Sequence, residues 1–152
     1  MPTFQTLWDN HPARTNVCDA AIFRNQCAMR MGDALTKSGV KIPMKGLRTC
    51  VGYNRNRFKD HAPGHIRAAQ QLANVLKEQP TLLGAHVTCK VMTGSINDNI
   101  DTFKNNNGVV FIMNGWDQTD HIDVFNGTSL ALKGGAATYR SKGTQVWFWK
   151  MT

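Results

Sequence analysis

Apolar positions recur at helical spacing in the first half of the chain and at strand spacing in the second. Residues 1–22 form a short N-terminal segment that Phe4 and Trp8 anchor and Pro12 breaks. From Asn25 to Lys37, Met31 and Leu35 follow Cys27 by one and two turns, which predicts a helix with one face on a core, stopped by Gly39. Residues 40–63 are rich in Gly, Pro, Asn, Arg and Lys and read as a long basic loop. A second helix is expected from Gly64 to Glu78, where Ile66, Ala69, Ala73 and Leu76 form a stripe that Leu72 widens, and Pro80 ends it.

Ala85–Met92 then alternates, with Val87, Cys89 and Val91 on one side. Ser95-Ile96-Asn97-Asp98 resembles a capping box for a short helix through Ile100 and Phe103, closed by Asn105–Gly108. Gly108–Met113 is a continuous apolar run of the central-strand type, and Asn114-Gly115 signals a turn. His121–Phe125 alternates, Asn126-Gly127 turns into a possible strand at Thr128–Leu132, Gly134-Gly135 is loose, and Thr144–Lys150 closes the chain as a strand. Helices first and an antiparallel sheet after predict one α+β domain over residues 1–152.

Composition narrows this further. A chain of 152 residues is long enough for one domain with its own core. Its 41% hydrophobic and 18% charged residues belong to a globular chain, not a disordered one. No run approaches the roughly 20 apolar residues that span a bilayer, so no membrane insertion is expected. Met1–Gln5 has neither a charged start nor an apolar stretch, so the protein is expected to stay in the cytoplasm or leave by a route that needs no signal peptide.

The net charge of +8 favours an anionic partner: nucleic acid, an acidic surface, a wall polymer or an acidic binding protein. The basic residues are dispersed apart from Arg48, Arg55, Arg57 and Lys59, without interleaved aromatics, so no nucleic-acid partner is expected. The four cysteines have no CxxC spacing, so neither a metal nor another cofactor is expected. Should Cys27 be a free nucleophile, Cys18, Cys50 and Cys89 can form at most one disulfide, with Cys50–Cys89 one option.

Cys27 is the first candidate for chemistry. A thiol at a helix start lies among free backbone N–H groups at the positive end of the helix dipole, which favours thiolate. The alternative is a small, inert buried residue. A cysteine nucleophile needs a base, and the chain has five histidines. His11, His61 and His65 fall in loop or helix-start contexts, and His86 begins a strand. His121 also begins a strand, and alternation puts it on one face with Asp123 and Phe125, with Ile122 and Val124 opposite. An imidazole beside a carboxylate is an oriented base; the alternative is a polar residue at a strand edge.

Two blocks carry a family resemblance. Phe23-x-Asn25-x-Cys27-x-x-Arg30-Met31, in a helix ending Leu35-x-x-x-Gly39, resembles the catalytic helix of peptidoglycan amidase effectors of the type VI secretion system, the fourth amidase family above all. Gly108–Ile112, Gly115-Trp116 and His121-Ile122-x-Val124-Phe125-Asn126-Gly127 resemble that family's apolar strand, Gly-Trp loop and histidine strand. Helix two and Trp147-Phe148-Trp149 have counterparts there, so the resemblance covers nearly the whole chain.

It implies a papain-like, NlpC-type fold, with a catalytic Cys at a helix start packed on a C-terminal antiparallel sheet. It implies hydrolysis of the amide between D-glutamate, through its γ-carboxyl, and meso-diaminopimelate in peptidoglycan peptide stems. It also implies delivery by the type VI apparatus to the target-cell periplasm, and a cognate immunity protein in the producer. Carried over, Cys27 is the nucleophile, with its own N–H a candidate oxyanion donor, and His121 is the base. The family's acid on the next strand has no counterpart, because no Asp or Glu follows Asp123. The orienting role therefore goes to Asp123, with Asn126 or a backbone carbonyl as alternatives. Asn25, Gln26, Trp116 and Asp120 are the substrate-binding candidates, with Asn25 or Gln26 alternatively shaping the loop at Cys27, and Asp117 lies beside them on the rim. Arg30 is expected to have a structural role, as an ion pair, rather than a catalytic one. Two other readings remain open: a papain-like peptidase or acyltransferase on a protein substrate, and a non-catalytic basic wall-binding module.

Overall fold

The computed structural model of the chain describes residues 2–21, 23–50 and 64–152. The N-terminal segment is a helix, α1 (Phe4–Asn10). Thr3 caps it by accepting from Thr6 N–H at 3.1 Å, and it stops at His11, whose extended backbone precedes Pro12. Phe4 and Leu7 are buried, and the expected anchors Phe4 and Trp8 pack ring to ring at 5.7 Å.

Helix α2 (Cys27–Lys37) begins two residues later than predicted, with Cys27 as its first residue. Gly39, at φ +85°, ends it as expected: Gly39 N–H bonds Thr36 O and Val40 N–H bonds Leu35 O, the double closure of a Schellman motif. Helix α3 (Ala69–Glu78) begins five residues after the predicted start at Gly64. The intervening chain is extended: Ile66 bridges Thr49, Cys50 N–H bonds His65 O, and Arg67 N–H bonds Arg48 O. Ile66 is nevertheless buried, its Cδ1 against Gly32 of α2, so the residue belongs to the predicted stripe without belonging to the helix. Pro80 ends α3 and opens a single 3₁₀ turn through Leu83.

Strand β1 (Cys89–Thr93) starts later than expected; Cys89 and Val91, opposite Trp149 and Trp147, share a face as expected, but Val91 is exposed. The reason is position: among the described residues β1 is the outer strand of an antiparallel sheet and pairs with β5 (Gln145–Met151) alone. The capping box is present, with Ser95 N–H and Oγ both on Asp98 Oδ2 and Asp98 N–H returned to Ser95 Oγ, ahead of α4 (Ile100–Phe103).

Strand β2 (Asn107–Trp116) does not turn at Asn114-Gly115. It carries an irregularity there, with Asn114 at φ +52° and its N–H on Asp120 Oδ1 at 2.8 Å, and the reversal falls at Asp117 (φ +59°) before β3 (Thr119–Asn126). The possible strand after Asn126-Gly127 shrinks to β4 (Ala131–Leu132), because Asn126 Oδ1 takes the Thr128 and Ser129 N–H groups into a turn. The sheet order is β1-β5-β2-β3-β4.

The apolar run Val109–Ile112 is buried on both faces, as a central strand requires. Val109, Phe111, Ile122, Val124, Trp147 and Trp149 face the core shared with α1, α2 and α3, and Trp149 donates its indole N–H to Leu76 O of α3 at 3.0 Å. Val110, Ile112, Phe125 and Phe148 form a second core with Phe103 of α4. The architecture is α+β as predicted: N-terminal helices on an antiparallel sheet made from the last two-fifths of the chain.

No disulfide joins Cys50 and Cys89. Cys50 is buried in a small cluster with Cys18, Phe23 and Met29, while Cys89 packs on the helix-side core. Of the predicted basic patch, Arg55, Arg57 and Lys59 lie outside the described residues, as do His61 and most of the loop from residue 40 to 63. No helix among the described residues is long and apolar enough to cross a membrane.

Candidate active site

The start of α2 lies against the start of β3. Cys27 is 5% exposed and its Sγ is 3.8 Å from Asp120 O. Alternation along β3 turns His121, Asp123 and Phe125 to one face and Ile122 and Val124 to the other, as the sequence pattern required. His121 Nε2 is 2.7 Å from Asp123 Oδ2. That leaves Nδ1 as the ring nitrogen available to the Cys27 sulfur, with which the ring also interacts. Burial by itself lowers the pKa of His121, but the Asp123 hydrogen bond and the Cys27 sulfur outweigh it and lift it to about 9. The imidazole is therefore an imidazolium at neutral pH.

Asp123 is fully buried, and its carboxylate is held from four sides. Besides His121, it accepts from Val124 N–H at 2.8 Å and from Gly134 N–H at 3.0 Å on each oxygen. His11 Nε2 lies 3.5 Å from Oδ1. Ala13 N–H donates to His11 Nδ1 at 3.0 Å, so the ring proton sits on Nε2 and points at the carboxylate. Burial drives the His11 pKa down to about 4 in spite of Asp123, so this second histidine is neutral beside the carboxylate.

The two histidines thus bracket one carboxylate in different charge states. The sequence pattern gives His11 a loop context and no role, and its approach depends on the return of the chain after α1. Gly134, expected to be loose, is fixed: a Cβ there would stand 2.9 Å from His11 Cε1 and 3.0 Å from Ala13 O.

A cleft of about 320 Å³ opens over Cys27 and His121. Trp116 forms one wall, edge-on to Tyr139 with ring centroids 4.6 Å apart, and Tyr139 is edge-on to His121 at 5.0 Å. Tyr139, on a 3₁₀ turn, gave no signal in the sequence. Of the expected rim residues, Trp116, Asp120 and Asn25 line the cleft, whereas Asp117 sits at the exposed tip of the β2–β3 turn. Asp120 spends one carboxylate oxygen on Asn114 N–H, closing the irregular end of β2. Asn25 Oδ1 accepts from Cys27 N–H at 3.2 Å, so that N–H, a candidate oxyanion donor, faces Asn25 in this state.

Gln26 and Arg30 both bind the loop ahead of α2. Gln26 borders the cleft, but its side chain is fully buried and fully used. Oε1 accepts from Val17 and Cys18 N–H, and Nε2 donates to Cys18 O and Phe23 O. All four bonds hold the loop ahead of α2. Arg30 has the expected structural role, but among the described residues it fills that role without an ion pair: it donates to Thr15 O, Arg14 O and Asn16 Oδ1, gripping the same loop from the other end.

A family model described as type VI secretion system (T6SS), amidase effector protein 4 (Tae4), matches residues 23–149, a span that contains Cys27, His121 and Asp123. Among curated protein sequences none matches the chain. The fold is similar to the crystal structure of the type VI effector Tae4 from Enterobacter cloacae, with TM-score 0.69 and 21% identity over 100% of this chain and 98% of that one. It is also similar to the effector in the Tae4–Tai4 effector–immunity complex from Salmonella Typhimurium, with TM-score 0.68 and 14% identity over 100% and 99% of the two chains. The arrangement expected from the sequence, N-terminal helices with Cys27 at a helix start packed on a C-terminal antiparallel sheet, is the fold that this chain shares with these effectors.

Proposed function

Because the chain belongs to the type VI secretion system amidase effector protein 4 family, whose members are antibacterial peptidoglycan amidases, we propose that residues 1–152 act as a single cysteine amidase domain. Its substrate is the amide between the γ-carboxyl of D-glutamate and meso-diaminopimelate in the peptide stem. The observation that carries this reading is Cys27 and His121 lining one open cleft, with Asp123 buried behind the histidine and 2.7 Å from its Nε2.

The steps follow from that order of groups. Asp123 holds His121 charged, and the imidazolium sits beside the sulfur as partner to a thiolate. The thiolate attacks the γ-carbonyl carbon of D-glutamate, and the carbonyl electrons move to oxygen. On collapse, His121 Nδ1–H protonates the departing amine of diaminopimelate and a thioester remains. Neutral His121 then takes a proton from water, hydroxide adds to the thioester, and the glutamyl γ-carboxylate leaves as Cys27 regains its proton or its charge. Stabilising the oxyanion through Cys27 N–H requires Asn25 to release it. Trp116 and Tyr139 flank the ring and form an apolar wall against which the stem can lie, with Asn25 and Asp120 as polar contacts at the rim.

In this reading the protein is made in the cytoplasm, delivered by the type VI apparatus, and acts in the target-cell periplasm. A cognate immunity protein covers the cleft in the producer. The net charge of +8 suits an anionic wall and an acidic inhibitor.

The test is digestion of purified Gram-negative peptidoglycan with mass analysis of the fragments, wild type against Cys27→Ala. Cuts between D-glutamate and diaminopimelate in the wild type alone are the expected result. A different Cys27-dependent cut would retain the nucleophile and replace the specificity. No release by folded, reduced wild type would overturn the amidase assignment in favour of a protein substrate or a wall-binding module.

A further inference from the structure

Outside the cleft, three groups with metal-ligand chemistry converge. Cys18 Sγ, Cys50 Sγ and one ring nitrogen of His65 all lie within 4.8 Å of one another. Cys50 Sγ is 3.6 Å from His65 Nδ1. A tetrahedral zinc with Zn–S of about 2.3 Å and Zn–N of about 2.0–2.1 Å separates sulfur and nitrogen by about 3.5 Å. The pair therefore stands at the spacing a shared metal imposes.

The backbone holds all three in place. Gln26 fixes Cys18 through both its N–H and its C=O. Cys50 and His65 face each other across the paired segments at Thr49 and Ile66, with Cys50 N–H on His65 O at 3.0 Å. His65 N–H in turn points at Cys50 Sγ at 3.3 Å, an N–H···S bond of the kind that supports a metal-bound thiolate. Cys18 and Cys50 are buried, while His65 is partly exposed and lines a cleft of about 190 Å³ that opens to solvent. The site thus has a dry sulfur side and an entry path on the nitrogen side.

We propose that Cys18, Cys50 and His65 form a site for one zinc ion, separate from the Cys27–His121 cleft. Two thiolates and an imidazole are a borderline-soft donor set that suits zinc over magnesium or calcium. Binding displaces the two thiol protons to solvent, and the fourth position goes to water or to another donor. The ion would tie the loop ahead of α2 to the segment ahead of α3. Since Gln26 lies between the site and Cys27 in the chain, the metal would brace the loop that positions the nucleophile.

The test uses the full reduced chain. Zinc content is measured after gel filtration, and the metal-free protein is titrated with Co²⁺ and followed by absorption. About one zinc per chain is expected, together with sulfur-to-cobalt charge-transfer bands and tetrahedral d–d bands of two-thiolate strength. Cys18→Ser and Cys50→Ser should each remove the charge-transfer bands or halve them, while Cys27→Ala and Cys89→Ser leave them. The wild-type cobalt spectrum decides the matter even where a cysteine variant fails to fold. Lack of uptake by folded wild type whose Cys18 and Cys50 are shown to be reduced would overturn the proposal. Bands that vanish with Cys27→Ala would also overturn it, by placing the metal at the catalytic thiol.

Discussion

Asp123 governs the proposed chemistry by setting the charge of His121. Two backbone donors, Val124 N–H and Gly134 N–H, hold the carboxylate where it meets His121 Nε2, and neutral His11 lies 3.5 Å from its other side. Its position two residues after the histidine is readable from strand alternation alone. Replacing it by Asn retains the shape and removes the charge. The His121 pKa, raised to about 9, then falls toward its ordinary value. His121 gives its proton to the leaving amine, so activity is present below that pKa and lost above it. The wild-type pH–rate profile should have an alkaline limb near pH 9. Asp123→Asn should shift that limb to lower pH and reduce kcat by about 10²–10⁴-fold, the usual range for disabling a positioned acid–base. A limb that does not move would separate Asp123 from the titration.

At the scale of elements, the loop ahead of α2 is built as carefully as the helix. Gln26 and Arg30, one turn apart, each bond backbone groups of residues 14–23, so Cys27 is held between two clamps on one segment. Gln26→Leu keeps the volume and strands two N–H groups and two carbonyls. Each buried group without a partner costs about 1–3 kcal/mol, so a loss of about 3 kcal/mol or more is expected in denaturant unfolding. Peptidoglycan hydrolysis by the folded remainder should fall as well. Unchanged stability would mean that water replaces the amide. Neither clamp has a periodic signature, because a side chain that caps backbone looks like any polar residue. The same limit explains the late start of α3: the stripe at Ile66 is a burial signal, and β-bridge pairing with Thr49 satisfies it as well as a helix would.

Across the whole molecule, the two buried histidines set opposing pH limits on stability. His11 has its pKa lowered from about 6.5 to about 4, so the unfolded chain binds more protons in that window and stability falls on acidification through it. His121 has its pKa raised from about 6.5 to about 9, so its contribution is complete below about 6.5 and is lost as pH rises through 9. Stability should therefore peak near pH 6.5, read as the denaturation midpoint across a pH series. His11→Gln, which keeps a neutral donor, should flatten the decline between pH 6.5 and 4 and leave the alkaline decline in place. A profile with no such asymmetry would show that the histidines do not carry the linkage.

The linear pattern alone determined the α+β class, the central strand at Val109–Ile112, the Gly39 stop, the Ser95–Asp98 cap and the shared face of His121 and Asp123. Each of these rests on spacing within one element, where backbone geometry converts sequence separation into direction. Only the tertiary structure decided which residues meet across elements. It brought His11 from the end of α1 and Gly134 from beyond β4 onto Asp123, seated Tyr139 beside His121, and turned Gln26 inward. It also drew Cys18, Cys50 and His65 into one cluster from three stretches of chain. Such contacts depend on how helices dock on the twisted sheet, and no local period encodes that docking.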